Sequence, residues 1–160
     1  MKLEIKNFPN QILEFDFYID NIEDIELKDR VHVVGTAVNN NGKVEISGKY
    51  STKVKSQCVR CLKEIEVELN NNFMGTFLDE NEYKQYLKSL NAECEISQDE
   101  IYDEIKDGVI DLDELIREYI ILDMPPYPQC EPMCEDDSEI EKYSDDGIDP
   151  RWQQLLQIKN

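Results

Sequence analysis

Two short-spaced cysteine pairs constrain this chain more than any other feature: Cys58-Val59-Arg60-Cys61 and Cys130-Glu131-Pro132-Met133-Cys134. A two-residue spacer lets a tight turn aim both sulfurs at one point, and a three-residue spacer still allows it. Two such pairs, far apart in sequence, suit one tetrahedral zinc ion. The 68 residues between them exceed a compact zinc ribbon. A shared Zn2+ would instead clip a Pro-rich loop back onto a β-hairpin. Structural zinc contributes on the order of 10 kcal/mol to folding, comparable with a domain's net stability. Four thiolates would fill the coordination shell and leave no position for a catalytic water. Their negative charge lies beside Glu131, Glu135, Asp136 and Asp137, and Arg60 is the local candidate to compensate it.

Other uses of these thiols stay open. A redox Cys-x-x-Cys commonly sits at a helix N-terminus, where the dipole lowers a thiol pKa, whereas Cys58 and Cys61 fall between two strand patterns. A thiol oxidoreductase is therefore the rival reading. Structural disulfides fit poorly with a reducing compartment and with the odd cysteine, Cys94, which reads as a small buried residue. Reduced thiols without metal are the plainest alternative. His32 is the only histidine, and a lone histidine on a strand is more often structural than a ligand.

Around the first pair the pattern is β. Val44, Ile46, Gly48, Tyr50, Thr52 and Val54 alternate with Glu45, Ser47, Lys49, Ser51, Lys53 and Lys55, which predicts a half-buried strand with a basic outer face. Ile65, Val67 and Leu69 alternate with Glu64, Glu66 and Glu68, so Lys/Glu pairing would favour an antiparallel register. Phe73, Gly75 and Phe77 suggest a further strand. Asn39-Asn40-Asn41-Gly42 follows the β-rich run 31–38 and signals a hairpin. Leu3, Ile5 and Phe8, then Leu13, Phe15, Phe17 and Ile19, suggest two strands around the turn Pro9-Asn10-Gln11.

Beyond residue 78 the period changes. Tyr83, Tyr86, Leu87 and Leu90 have helical spacing, and Val109-Ile110 reads as a short strand. Leu112, Leu115, Ile116, Tyr119 and Ile120 mark an amphipathic helix, capped by Asp111 with Glu114 at the capping-box position and stopped by Pro125-Pro126. Residues 135–148 read as an acidic linker. Asp149-Pro150 then opens a last helix, 149–158, whose stripe of Trp152, Leu155 and Leu156 would dock on the domain or a partner. The expected fold is α+β: an antiparallel β-rich N-terminal portion and a helical C-terminal portion joined by a four-cysteine metal site, with residues 1–134 as one domain.

Charge narrows the function classes. Of the net charge of −19, residues 71–160 carry 24 acidic and 7 basic side chains. That half is expected to repel phosphate, and its charge suits either a basic protein partner or simple solubility. The one credible phosphate contact is Lys43, Lys49, Lys53, Lys55, Arg60 and Lys63; the bland alternative is a solvated face paired with the glutamates of 64–68. No phosphate-binding glycine loop is present, and one histidine leaves little scope for nucleophilic catalysis. No run approaches the roughly 18 apolar residues of a membrane span, and residues 1–6 alternate charged with apolar side chains, unlike a signal peptide. A cytoplasmic protein without enzymatic activity, membrane contact or small-molecule substrate is expected.

The ordered landmarks carry a resemblance. They are Cys58-Val59-Arg60-Cys61 after a strand, Asp111-Leu112 opening a helix, Leu122 to Pro125, Cys130 and Cys134, then Asp149-Pro150-Arg151-Trp152 with Leu155-Leu156. In order and spacing, residues 44–160 resemble the YceD-like large ribosomal RNA subunit accumulation proteins of bacteria and plastids. The resemblance implies a non-enzymatic role in synthesis, processing or stability of large-subunit (23S) ribosomal RNA, hence in ribosome assembly. It also implies a genomic association with a small ribosomal protein of the large subunit. The partner would be that RNA or a basic ribosomal protein. An acidic interaction module unrelated to ribosomes is the third reading.

Overall fold

Alternation along 44–54 builds the central strand of the protein. The computed structural model describes residues 1–8, 11–90, 101–132 and 134. Strands β1 (Lys2–Glu4), β2 (Ile12–Ile19), β3 (Val31–Asn40), β4 (Lys43–Gln57) and β5 (Glu64–Leu78) precede helix α1 (Glu80–Leu90). Short strands β6 (Asp103–Glu104) and β7 (Val109–Asp111) lead into helix α2 (Leu112–Asp123). The described residues are thus mostly β-sheet with two helices. One sheet has the order β2-β3-β4-β5-β6, and a two-stranded sheet pairs β1 with β7. Pairing is antiparallel for β2–β3, β3–β4 and β1–β7, and parallel for β5–β6.

The β3–β4 hairpin closes where Asn-Gly predicts it. Asn40 faces Lys43, and the two loop residues take positive φ, 54° at Asn41 and 103° at Gly42. Only Gly and Asn enter that region cheaply, and it matches the twist of the flanking strands. On β4, Val44, Ile46, Tyr50, Thr52 and Val54 are buried, whereas Glu45, Ser47 and Lys49 are exposed. At mid-sheet Gly35 faces Gly48, and Phe15 faces Gly35 in turn. The rings of Phe15 and Phe73 stack at 6.4 Å between centroids and occupy the space that side chains on these glycines would claim.

Helix α2 starts at Asp111, whose carboxylate accepts from the Asp113 N–H at 3.1 Å. Leu112, Leu115, Ile116 and Ile120 form its buried stripe, each contributing about 1.5–3 kcal/mol of apolar burial. Met124 is extended, as the residue before a proline prefers, and ends the helix. Buried Tyr50 donates its hydroxyl to Asp123 in the last turn. Burial, reinforced by that carboxylate, raises the phenol well above its ordinary pKa. The Tyr119 hydroxyl accepts from the Met74 N–H at 3.2 Å and donates to the Met74 carbonyl at 2.7 Å.

Three details differ from the sequence reading. Strand β1 stops at Glu4 and Ile5–Asn7 forms a 3-10 turn, so the first residues pair with β7, where buried Leu3 faces buried Ile110. Residues 64–78 form one strand, not two. The Lys/Glu pairing runs partly through residues 26–28, which lie along β4 beyond the reach of β3. Lys55 N–H bonds the Glu26 carbonyl and Lys28 N–H the Lys53 carbonyl, while the ion pairs are Lys28–Glu66 at 3.0 Å and Lys55–Glu26 at 2.7 Å.

Two compact units emerge among the described residues: 1–56 with 66–126, and 57–65 with those from 127 to 134. The expected linker 135–148, the helix 149–158 with Trp152, Leu155 and Leu156, Cys94, and the Pro9-Asn10 turn lie outside the described residues.

Candidate metal centre

All four paired cysteines belong to the second unit. After β4 the chain makes a tight turn over Val59–Cys61. The Leu62 N–H bonds the Cys58 carbonyl at 2.9 Å, and the Cys58 N–H bonds the Lys63 carbonyl at 2.9 Å. The turn drives Leu62 to φ 59°, a left-handed conformation that costs a residue with a Cβ roughly 1–2 kcal/mol. The Val59 N–H bonds the Pro128 carbonyl at 2.9 Å, which lays the segment carrying Cys130 and Cys134 against the turn. No spacing rule signals this bond, because it joins two loops by backbone atoms.

The sulfurs converge. Cys58 Sγ lies 3.7 Å from Cys134 Sγ, and Cys61 Sγ 3.6 Å from Cys130 Sγ. All four lie within 4.8 Å of one another. A tetrahedron with metal–sulfur bonds of about 2.3 Å has edges of about 3.8 Å. The thiols are therefore spaced as a tetrathiolate site requires, and they could hold a metal ion. Cys58 and Cys134 are buried, Cys61 and Cys130 half-buried.

The electrostatics of the bare donor set agree. The backbone N–H of Cys61, with those of Arg60 and Cys130, lowers the Cys58 thiol to about 6. Hydrogen bonding with Cys61, together with burial, pushes Cys130 up to about 12, and burial raises Cys134. One thiolate is stabilised by amides, while the Cys130 and Cys134 thiols resist ionising beside it. Four thiolates together need a cation. Arg60 contributes its backbone N–H to Cys58, while its side chain is exposed.

His32 is elsewhere, in the first unit, bonded to Asp16 at 2.8 Å and stacked on Tyr18. Lys43, Lys49, Lys53 and Lys55 do share the outer face of β4, but Lys43 pairs with Glu45 at 2.9 Å and Lys55 with Glu26. Glu66 is held below the usual carboxylate range by Lys28 first, then by Lys53 and Lys55. Arg60 and Lys63 fall in the second unit.

A family model described as Large ribosomal RNA subunit accumulation protein YceD matches residues 46–159. The chain belongs to the YceD family. The YceD match begins within β4 and contains both cysteine pairs, whereas β1 to β3 precede it. No curated protein and no solved structure matches the chain. The YceD name ties the family to accumulation of large-subunit ribosomal RNA. Among the described residues no helix is long and apolar enough to cross a membrane.

Proposed function

We propose that this chain is a non-enzymatic accessory factor in ribosome assembly that supports synthesis, processing or stability of 23S ribosomal RNA, and that its four cysteines hold a structural zinc ion. The family match over 46–159 carries the assembly role. The tetrahedral spacing of four sulfurs supports the metal, which would act as a crosslink between the Cys58–Cys61 turn and the Cys130–Cys134 loop.

Contact through a basic ribosomal protein is favoured over contact with RNA. Two of the four lysines on β4, Lys43 and Lys55, are paired with carboxylates, which reduces the positive charge a phosphate backbone could meet. A thiol oxidoreductase is disfavoured because its attacking thiolate must be accessible, and Cys58 is fully buried.

Affinity purification from cells, with protein and RNA both identified, tests the partner. A basic ribosomal protein recovered after nuclease treatment supports this reading; recovery of ribosomal RNA alone refutes it. Normal 23S RNA in a deletion strain refutes the assembly role and favours an unrelated interaction module. Metal analysis of protein purified without chelator is expected to give one zinc per chain.

A further inference from the structure

In the first unit, beside the β1–β7 pair, lies an open cleft of about 540 Å³. Phe77, Val109, Ile110 and Leu115 give it an apolar floor. Asp103, Glu104, Asp107, Asp111, Glu114 and Glu118 line it against two cations, Lys2 and Lys106. Lys2 is 3.7 Å from Asp111, and Lys84 acts on Glu104 while its ammonium bonds Glu80. The carboxylate excess persists after both.

One wall is aromatic. Tyr83 lines the cleft and belongs to a cluster in which Tyr83 and Tyr86 lie 6.0 Å apart and Tyr86 and Tyr102 4.9 Å apart. That cluster already seats one ammonium group, Lys43 Nζ at 5.5 Å from the Tyr102 centroid. A second cation meeting Tyr83 would find the same attraction.

Three chemistries therefore converge: an apolar floor, an acidic rim and an aromatic wall. A metal ion has no use for the floor, and a phosphate chain is repelled by the rim. A peptide with alternating aliphatic and cationic side chains satisfies all three. We infer that this cleft docks a lysine- and arginine-rich amphipathic segment of a protein partner. This rests on the protein-partner reading above and adds the place of contact. The aliphatic side chains meet half-buried Val109 and the small exposed edges of Phe77, Ile110 and Leu115, and the cations meet the carboxylates of β6, β7 and α2.

The test titrates the full-length, metal-loaded chain with two synthetic peptides of equal length and charge, one alternating Lys/Arg with Leu and one with Ser for Leu. Affinity is read by fluorescence anisotropy and the site by amide chemical shifts. The Leu peptide is expected to bind more tightly and to shift residues 103–118. Glu114→Lys with Glu118→Lys, both exposed on α2, should weaken it at least about tenfold at low salt. Glu14→Lys with Glu68→Lys makes the same charge change elsewhere in the first unit and should alter it by less than about twofold.

Equal weakening by both double variants, equal affinity for the Ser peptide, or shifts confined to other residues would overturn the inference, as would absence of binding. The shift map on the unaltered chain decides the matter if a variant misfolds. Failure of the cleft leaves a deletion strain's ribosomal RNA defect intact, whereas failure of the assembly role appears as normal ribosomal RNA whatever the peptide does.

Discussion

Replacing Gly48 by alanine tests the packing at the centre of the sheet. The new Cβ would stand 2.3 Å from the Val34 carbonyl oxygen, 2.8 Å from Gly35 Cα and 2.8 Å from Phe73 Cζ. Carbon contacts are optimal near about 3.5–4.0 Å, so each neighbour must retreat by roughly 1 Å. Phe73 can tilt, but two of the three obstacles are backbone of β3, held in register by the Gly35–Gly48 pairing. Overpacking costs about 1–3 kcal/mol, and a backbone obstacle places this case near about 3. With a urea slope of about 1.5 kcal/mol per M, the midpoint should fall by about 2 M. The assay is equilibrium urea unfolding followed by far-ultraviolet circular dichroism with metal present. Gly108→Ala is the control. Its φ is 72° with nothing within 4 Å, so it should cost only the left-handed conformation, about 1 kcal/mol. A Gly48→Ala loss under about 0.5 kcal/mol, or one smaller than that of Gly108→Ala, would refute the steric reasoning.

Four further outcomes are expected. Leu62→Gly should match or exceed the parent's thermal stability by up to about 1 kcal/mol, since φ 59° no longer strains a side chain; a clear loss in calorimetry would contradict this. Tyr50→Phe should cost about 1–3 kcal/mol by leaving half-buried Asp123 without its donor. Because the folded Tyr50 pKa is raised, its contribution is complete below the unfolded value of 10.0 and lost as pH rises above it; the Phe variant should lack that alkaline loss of stability. Lys28→Met should bring the Glu66 pKa back up toward 4.5, read by carboxyl NMR. Its depressed folded pKa makes the pair stabilising above the unfolded value, with loss as pH falls through the folded one. Cys130→Ser should speed amide exchange over residues 127–132 more than in β3 and β4, whose ladder hydrogen bonds do not depend on the metal; the reverse order would contradict the clip.

What the sequence revealed was mostly local. Asn41-Gly42 and the alternation of 44–54 predict the β3–β4 hairpin because turn chemistry and pleat parity act between neighbours. The cysteine spacing was legible for the same reason: each pair must satisfy its own turn before it meets the other. The antiparallel β-rich portion and the α2 cap at Asp111 were readable too. Long-range pairing was not. Leu3 meets Ile110 from more than a hundred positions away, and no pattern in residues 1–8 distinguishes that partner from β2. Residues 26–28 lack alternation altogether, yet they extend the β4 ladder and redirect Lys28 and Lys55 to acidic partners. The lysines counted as one patch in sequence are therefore partly neutralised and divided between two units. Gly48 counted as one more inward position, whereas its lack of a side chain is what admits Phe73.

The two hydrogen bonds of Tyr119 have a consequence for solubility. β6 meets β5 only at Phe77 and Leu78, and a strand flank left beyond a short neighbour invites another chain to add itself there. At Met74 the phenol answers both backbone groups, accepting from the N–H and donating to the carbonyl. One side chain from α2 thus imitates a single residue of a neighbouring strand and denies that position to an incoming one.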